Sequence, residues 1–361
     1  MAEQPASTSV IDDATVVDTD VHVSIPAERL TAYLDAPYDR RVTKRDCEPA
    51  SSAKFWDKSV GGKAGGGERL TDPGVVQRRL VDEFAVDYPL LNTIEHLAPM
   101  PDTDLAVELM SAYNDAMLDI FLDDTDFRAL ALICQTDPHA AAEEIDRIGN
   151  EDQFVGVFIY TPTMDPPLGD PRYDPMYRAA ADNDLHVAFH GGAASSFRDS
   201  FPTHNYNLET FLSVHTLAHL WQSTLTLVSL VVQGVPEKFP ELNFTFLEAG
   251  VSWVPHMMWR LNKEYSIRRS EAPLLEKSPE AYVRDQFYFG SQPLGEPDDP
   301  TMIREMIDLV GAESMTFATD YPHWDFDHPE ALDRHLRSVF TEAERERVLH
   351  DSAVEAFDLD V

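Results

Sequence analysis

A chain of 361 residues can form one large α/β barrel or two ordinary domains, and with 43% apolar and 10% aromatic residues it can bury a substantial core. Its 64 acidic against 28 basic residues leave a net charge of -36, and the basic set is 21 Arg with 7 Lys. Such a field repels nucleic acid and anionic membranes, so neither is expected as a partner, and the acids are spread through the chain and form no tail.

Scarce lysine and dense carboxylate resemble the surfaces of proteins from salt-loving organisms, where ionic strength screens self-repulsion. A salt-adapted cytoplasm is therefore the expected setting. The two cysteines, Cys47 and Cys134, form neither a metal motif nor a disulfide framework, which fits a reducing compartment. Residues 1–15 lack the basic start and apolar run of a signal peptide, and no uninterrupted apolar segment is long enough to span a bilayer. The expectation is a soluble protein with a frayed terminus over 1–14 and one domain over 15–361.

The first strand is read over 16–23, VVDTDVHV. Pro26 then opens a short helix, and residues 37–72 form a loop excursion containing GGKAGGG at 61–67, too flexible for core. Tyr38, Asp39, Arg40 and Arg41 stand near its beginning, and either arginine could clamp a substrate carboxylate or simply face solvent. From Val75 helical and strand-like segments alternate. Strands are expected over 87–92, 128–134, 154–162, 185–192, 243–250, 285–290 and 314–322, with helices between, among them a long one over 208–234. Eight short apolar strands separated by helices predict a single (β/α)8 TIM barrel, because an open sheet of that many strands would leave long edges to cover. Trp253, Met257, Met258 and Trp259 read as a packing face of one helix.

Strand side chains alternate, so Asp20 and His22 project from one face of the first strand. In a barrel that face meets the mouth, where carboxyl ends of several strands converge. His190, Glu248 and Asp320 fall at the ends of the fifth, sixth and eighth strands. Burying so many carboxylates without a cation is costly, and the joint pattern points to a divalent metal. His215 and His219, at i and i+4 on the following helix, either aim at this site or decorate a helix surface. His323, Trp324 and Asp325 wall the pocket or pack as a loop, with His323 a substrate contact in the first case. Gln292 and Pro293 are further lining candidates.

The D-x-H of strand one, the H-G-G at 190–192 and the run T-D-Y-P-H-W-D at 319–325 resemble the amidohydrolase-related family, in its aminocarboxymuconate semialdehyde decarboxylase-like branch. The likeness covers nearly the whole chain. It implies that Asp20 and His22 replace the strand-one ligand pair, that His190 is the strand-five metal histidine, and that Asp320 binds metal and takes a proton from its water. It also implies one divalent metal ion, zinc first, with manganese also suited to a carboxylate-rich set. Decarboxylase-like members carry a histidine followed by glycines at the end of strand six, whereas this chain has LEAG and Glu248. A glutamate is a poor acid at neutral pH unless burial raises it, so the proton must come from a perturbed Glu248, from another histidine such as His215 or His219, or not at all.

The departure tilts the reading toward hydrolysis of a small organic acid, amide or lactone by metal-activated water with Asp320 as base. The alternatives are non-oxidative decarboxylation of a small aromatic or unsaturated carboxylate, and a metal-binding barrel without turnover. The partner expected is a small-molecule substrate, and a homo-oligomer is compatible with the sequence. Thermal stability should fall on moving from molar salt to dilute buffer, which a melting series against salt checks; a flat dependence contradicts the surface argument.

Overall fold

A computed structural model describes residues 11, 14–42, 67–93, 100, 102–162, 165–192, 210–295, 299 and 301–361. Most of the terminus expected to fray, Cys47, and all of the glycine run except Gly67 lie outside these residues. Among the described residues, eight parallel strands follow one another in chain order within one sheet. They are β1 (Val17–Val23), β2 (Tyr88–Thr93), β3 (Arg128–Leu132), β4 (Phe154–Tyr160), β5 (His186–His190), β6 (Phe244–Leu247), β7 (Phe287–Gly290) and β8 (Met315–Thr316).

The barrel is the one expected, with helices returning the chain between strands. Their starts are set by short polar side chains that accept the first orphan amides. Asp102 accepts from Leu105 N ahead of the helix Thr103–Met117, Asp137 from His139 N and Ala140 N ahead of Pro138–Ile148, and Thr210 from Ser213 N ahead of Phe211–Val232. A helix the sequence reading passed over, Pro279–Gln286, leads into β7 and is capped by Ser278. Helix Val254–Arg268 buries Val254, Met258 and Leu261, one face at helical spacing, and this rotates Trp259 outward to 54% exposure. Trp259 is therefore not the packing residue expected, while Trp253 and Met258 are.

The eighth strand is much shorter than the nine residues read from sequence, since regular pairing stops after Thr316. The chain continues beside β1 by single bonds: Thr19 N donates to Phe317 O at 2.9 Å, Asp320 N to Asp20 O at 3.0 Å, and His22 N to Tyr321 O at 2.8 Å. Asp320 has a left-handed backbone, φ 63, which bends the segment out of strand geometry.

Asp18 fastens this seam. It is fully buried, and its Oδ1 accepts from Thr319 N at 3.0 Å and Asp20 N at 3.2 Å while Oδ2 accepts the Thr319 hydroxyl at 2.5 Å. Burial pushes its carboxyl up to about 7, and these donors oppose the shift. Replacing Asp18 by Ala strands three buried donors. The variant should lose on the order of 3 kcal/mol, read as a lower denaturant midpoint; an unchanged midpoint removes Asp18 from the seam.

Candidate active site

Four side chains from two strands and the seam meet at the mouth of the barrel. Asp20 and His22 share the inward face of β1, His190 ends β5, and Asp320 lies beyond β8; each is at most 2% exposed. His22 Nε2 is 3.4 Å from Asp20 Oδ1 and 2.9 Å from Asp320 Oδ1, and His190 Nε2 is 3.7 Å from Asp20 Oδ2. One nitrogen or oxygen from each of the four falls within 4.8 Å of the others. The residues expected as metal ligands are thus brought together.

The fine geometry fits a cation. His190 Nδ1 is 2.6 Å from Gly191 O, and because a carbonyl only accepts, Nδ1 carries the proton and Nε2 presents its lone pair to the cluster. Asn92 donates to Asp20 Oδ1 at 2.8 Å, whereas Asp20 Oδ2 is buried without a hydrogen-bond partner. Burial and the neighbouring Asp320 drive the Asp20 carboxyl well above its usual range; burial, then the Glu248 charge, raises Asp320. Burial likewise pushes His190 down to about 3 and His22 well below its ordinary value. Carboxylates that cannot stay charged alone and imidazoles that stay neutral are the donor set a divalent cation stabilises.

Glu248 completes the ring from β6. Its Oε2 is 3.2 Å from His190 Nε2 and 3.1 Å from His219 Nε2, and its Oε1 is 3.8 Å from His215 Nε2. Of the two positions open for the helical histidines, the structure takes the pocket-facing one for both. Glycine makes this approach feasible: a Cβ on Gly191 would stand 2.9 Å from His219 Cα. Gly250, φ 60, does the same for the LEAG turn, since a Cβ there would meet Pro293 O at 2.5 Å. Glu248 itself has φ 50, so both non-glycine residues that close the site, Glu248 and Asp320, hold left-handed backbones. Burial works against a charged Glu248, but His219 outweighs it and keeps the carboxylate ionised; the same pair raises His219.

His323 donates from Nδ1 to Asp320 Oδ1, and its ring centroid lies 4.3 Å from that of His22. Burial opposes its charge, yet Asp320 lifts it to about 10. Trp324, 40% exposed, lies with its ring centroid 5.2 Å from His215 and 6.4 Å from Phe211. Gln292 Nε2 donates to Asp320 Oδ2 and to Asp325 O, both at 3.4 Å, and Asp325 Oδ2 is 3.5 Å from His215 Nε2. Burial and then Glu248 push Asp325 up to about 7.

Neither arginine considered for a substrate carboxylate contacts the ligand cluster through a described hydrogen bond or ion pair. Arg41 donates to Asp102, which commits its guanidinium to a carboxylate of the chain, and Arg40 is exposed. Asn92 and Asp18 were missed; an Asn closing an apolar strand was the one sequence signal for the former.

The family described as Amidohydrolase matches residues 17–359. The chain belongs to the amidohydrolase family. Curated relatives include the γ-resorcylate decarboxylase of Rhizobium sp., 25% identical over 310 residues, and that of Rhodococcus jostii, 25% identical over 304; each alignment covers 81% of this amidohydrolase and 89% of the relative. Among solved structures, 5-carboxyvanillate decarboxylase from Novosphingobium aromaticivorans, with manganese and a nitrobenzoic acid bound, superposes with a TM-score of 0.74 at 20% identity, covering 96% of both chains. The 2,6-dihydroxybenzoate decarboxylase from Rhizobium gives 0.69 at 19% identity, covering 96% of this chain and 100% of that one. The protein is thus a metal-dependent enzyme of the amidohydrolase superfamily, and its relatives match the decarboxylase alternative better than hydrolysis. No helix among the described residues is long and apolar enough to cross a membrane.

Replacing His190 by Ala should weaken divalent-metal binding by about a hundredfold, roughly 3 kcal/mol, measured by metal titration of the folded variant. Full affinity there would discredit its place in the ligand set.

Proposed function

We propose that this amidohydrolase is a non-oxidative decarboxylase of a small hydroxylated aromatic carboxylate. The observation that carries the reading is an imidazole acid set against the ligand cluster: His323 donates to Asp320 and is 26% exposed on its side chain, so it borders the pocket. The names of the curated relatives support the substrate class.

Asp20, His22, His190 and Asp320 would hold the cation, and we take manganese over zinc because two carboxylates accompany two imidazoles and related structures bind manganese. When bound, such a cation supplies Lewis acidity toward the substrate's oxygens. Trp324, beside His215 and Phe211, offers a flat apolar face to the aromatic ring. Asp320 accepts from both His323 and Gln292, which suits it to holding and relaying a proton better than to stripping one from water. His323 delivers its proton to the ring carbon that bears the carboxylate; the bond between that carbon and the carboxyl group then breaks, its electrons return to the ring, and carbon dioxide leaves. Reprotonation of His323 from solvent closes the cycle. A cation held by Asp320 would weaken that carboxylate's hold on the His323 proton and would make the imidazolium a stronger acid.

The protein loaded with manganese in molar salt should release carbon dioxide and the decarboxylated arene from 2,6-dihydroxybenzoate or a close hydroxybenzoate. Acid or alcohol release from lactones and amides, without carbon dioxide from any benzoate, would return the assignment to hydrolysis. His323→Gln should lower kcat by about 10²–10⁴, and Asp320→Asn should fold and lack turnover; a normal rate in either takes that residue out of the mechanism.

A further inference from the structure

We propose that the pocket holds a second divalent cation, bound by His215, His219, Glu248 and Asp325 beside the first. These donors come from three places in the fold: one face of helix Phe211–Val232, the end of β6, and the loop after the seam. His219 Nε2 is 3.1 Å from Glu248 Oε2, and His215 Nε2 is 3.8 Å from Glu248 Oε1 and 3.5 Å from Asp325 Oδ2. One ligand atom each from His215, His219 and Glu248 falls within 4.8 Å of the other two. Donors bound at about 2.0–2.2 Å around a tetrahedral ion stand roughly 3.3–3.6 Å apart, and the three measured separations bracket that spacing.

Independent of these distances, Asp325 Oδ1 is buried without a hydrogen-bond partner, which leaves that carboxylate an uncommitted oxygen in the pocket. The mutually close donors are two imidazoles and one carboxylate, and Asp325 adds a second carboxylate through its approach to His215. Glu248 joins the two sets, because the same Oε2 that meets His219 also lies 3.2 Å from His190 Nε2. A carboxylate has two oxygens and can serve two cations at once, which an imidazole with one available nitrogen cannot. That gives a chemical reason for glutamate at the end of β6. Resting on the decarboxylase reading, the second cation presents positive charge to an anionic substrate in a protein of net charge -36, where carboxylates otherwise repel it.

The test is a manganese titration of the metal-depleted full chain in molar salt, with bound metal counted by elemental analysis and followed by electron paramagnetic resonance. The wild type should take two equivalents per chain and show a spin-coupled pair signal. His219→Ala and the near-isosteric Asp325→Asn should each take one and lose the coupling, with circular dichroism reporting the fold. Adding His22→Ala to either should remove the remaining equivalent. A wild type that binds one equivalent, lost in His22→Ala and kept in His219→Ala, overturns the second site and leaves the decarboxylase reading standing. Two equivalents persisting in both His219→Ala and Asp325→Asn also overturn it. Failure to bind manganese or zinc at all removes both sites.

Discussion

Negative charge buried at one end of a barrel is the constraint that organises this protein. Asp18, Asp20, Glu248 and Asp320 are all withdrawn from water within a few ångströms of the strand ends, and each ionised carboxylate there costs several kcal/mol unless compensated. The structure answers differently at each position. Asp18 is satisfied by the Thr319 amide and hydroxyl across the seam and by Asp20 N on its own strand, and Glu248 by the imidazole of His219. Asp20 and Asp320 are driven toward their neutral forms while His22 and His190 are kept uncharged beside them. Four such groups make a poor ion-pair network and a good set of ligands, which is why a cation is the natural occupant. The left-handed backbones of Glu248 and Asp320 belong to the same account, as strain held where side chains must be aimed inward.

The sequence carried most of the fold, because strand and helix periods survive in a chain whose charge sits on the surface. Eight apolar runs matched eight strands, and the residues at their ends assembled as expected. What it hid has physical causes. The ladder beyond Thr316 ends early because Asp320 needs a left-handed backbone, a fact local apolarity cannot report. Asp18 looked like any polar residue on a strand, since its partner Thr319 is 301 positions away. The histidines of helix Phe211–Val232 could be placed on one face but not aimed, for the aim is decided by how closely Gly191 lets that helix approach. Arg40 and Arg41 were candidates by charge alone, and Asp102 claims the latter.

The exchange of imidazole for carboxylate at the end of β6 separates this chain from the decarboxylase pattern it otherwise resembles. Histidine has not left the pocket. The neighbouring helix brings His215 and His219 to Glu248, and the loop after the seam carries His323. Imidazoles thus reach the site from strand, helix and loop alike, around the Asp20, His22, His190 and Asp320 quartet. Site chemistry can shift in this way because a barrel fixes the positions of strand ends and leaves the loops free to vary.

The seam between β1 and the segment after β8 joins residues almost a full chain apart: His22 and Asp320 are separated by 298 positions. During synthesis the opening pair of ligands emerges early and must wait for nearly every later unit to be made and packed. Metal capture thus acts as a final checkpoint, available only to molecules whose last repeat has docked on their first. A chain arrested before residue 320 would possess most of the barrel and still be unable to retain its ion.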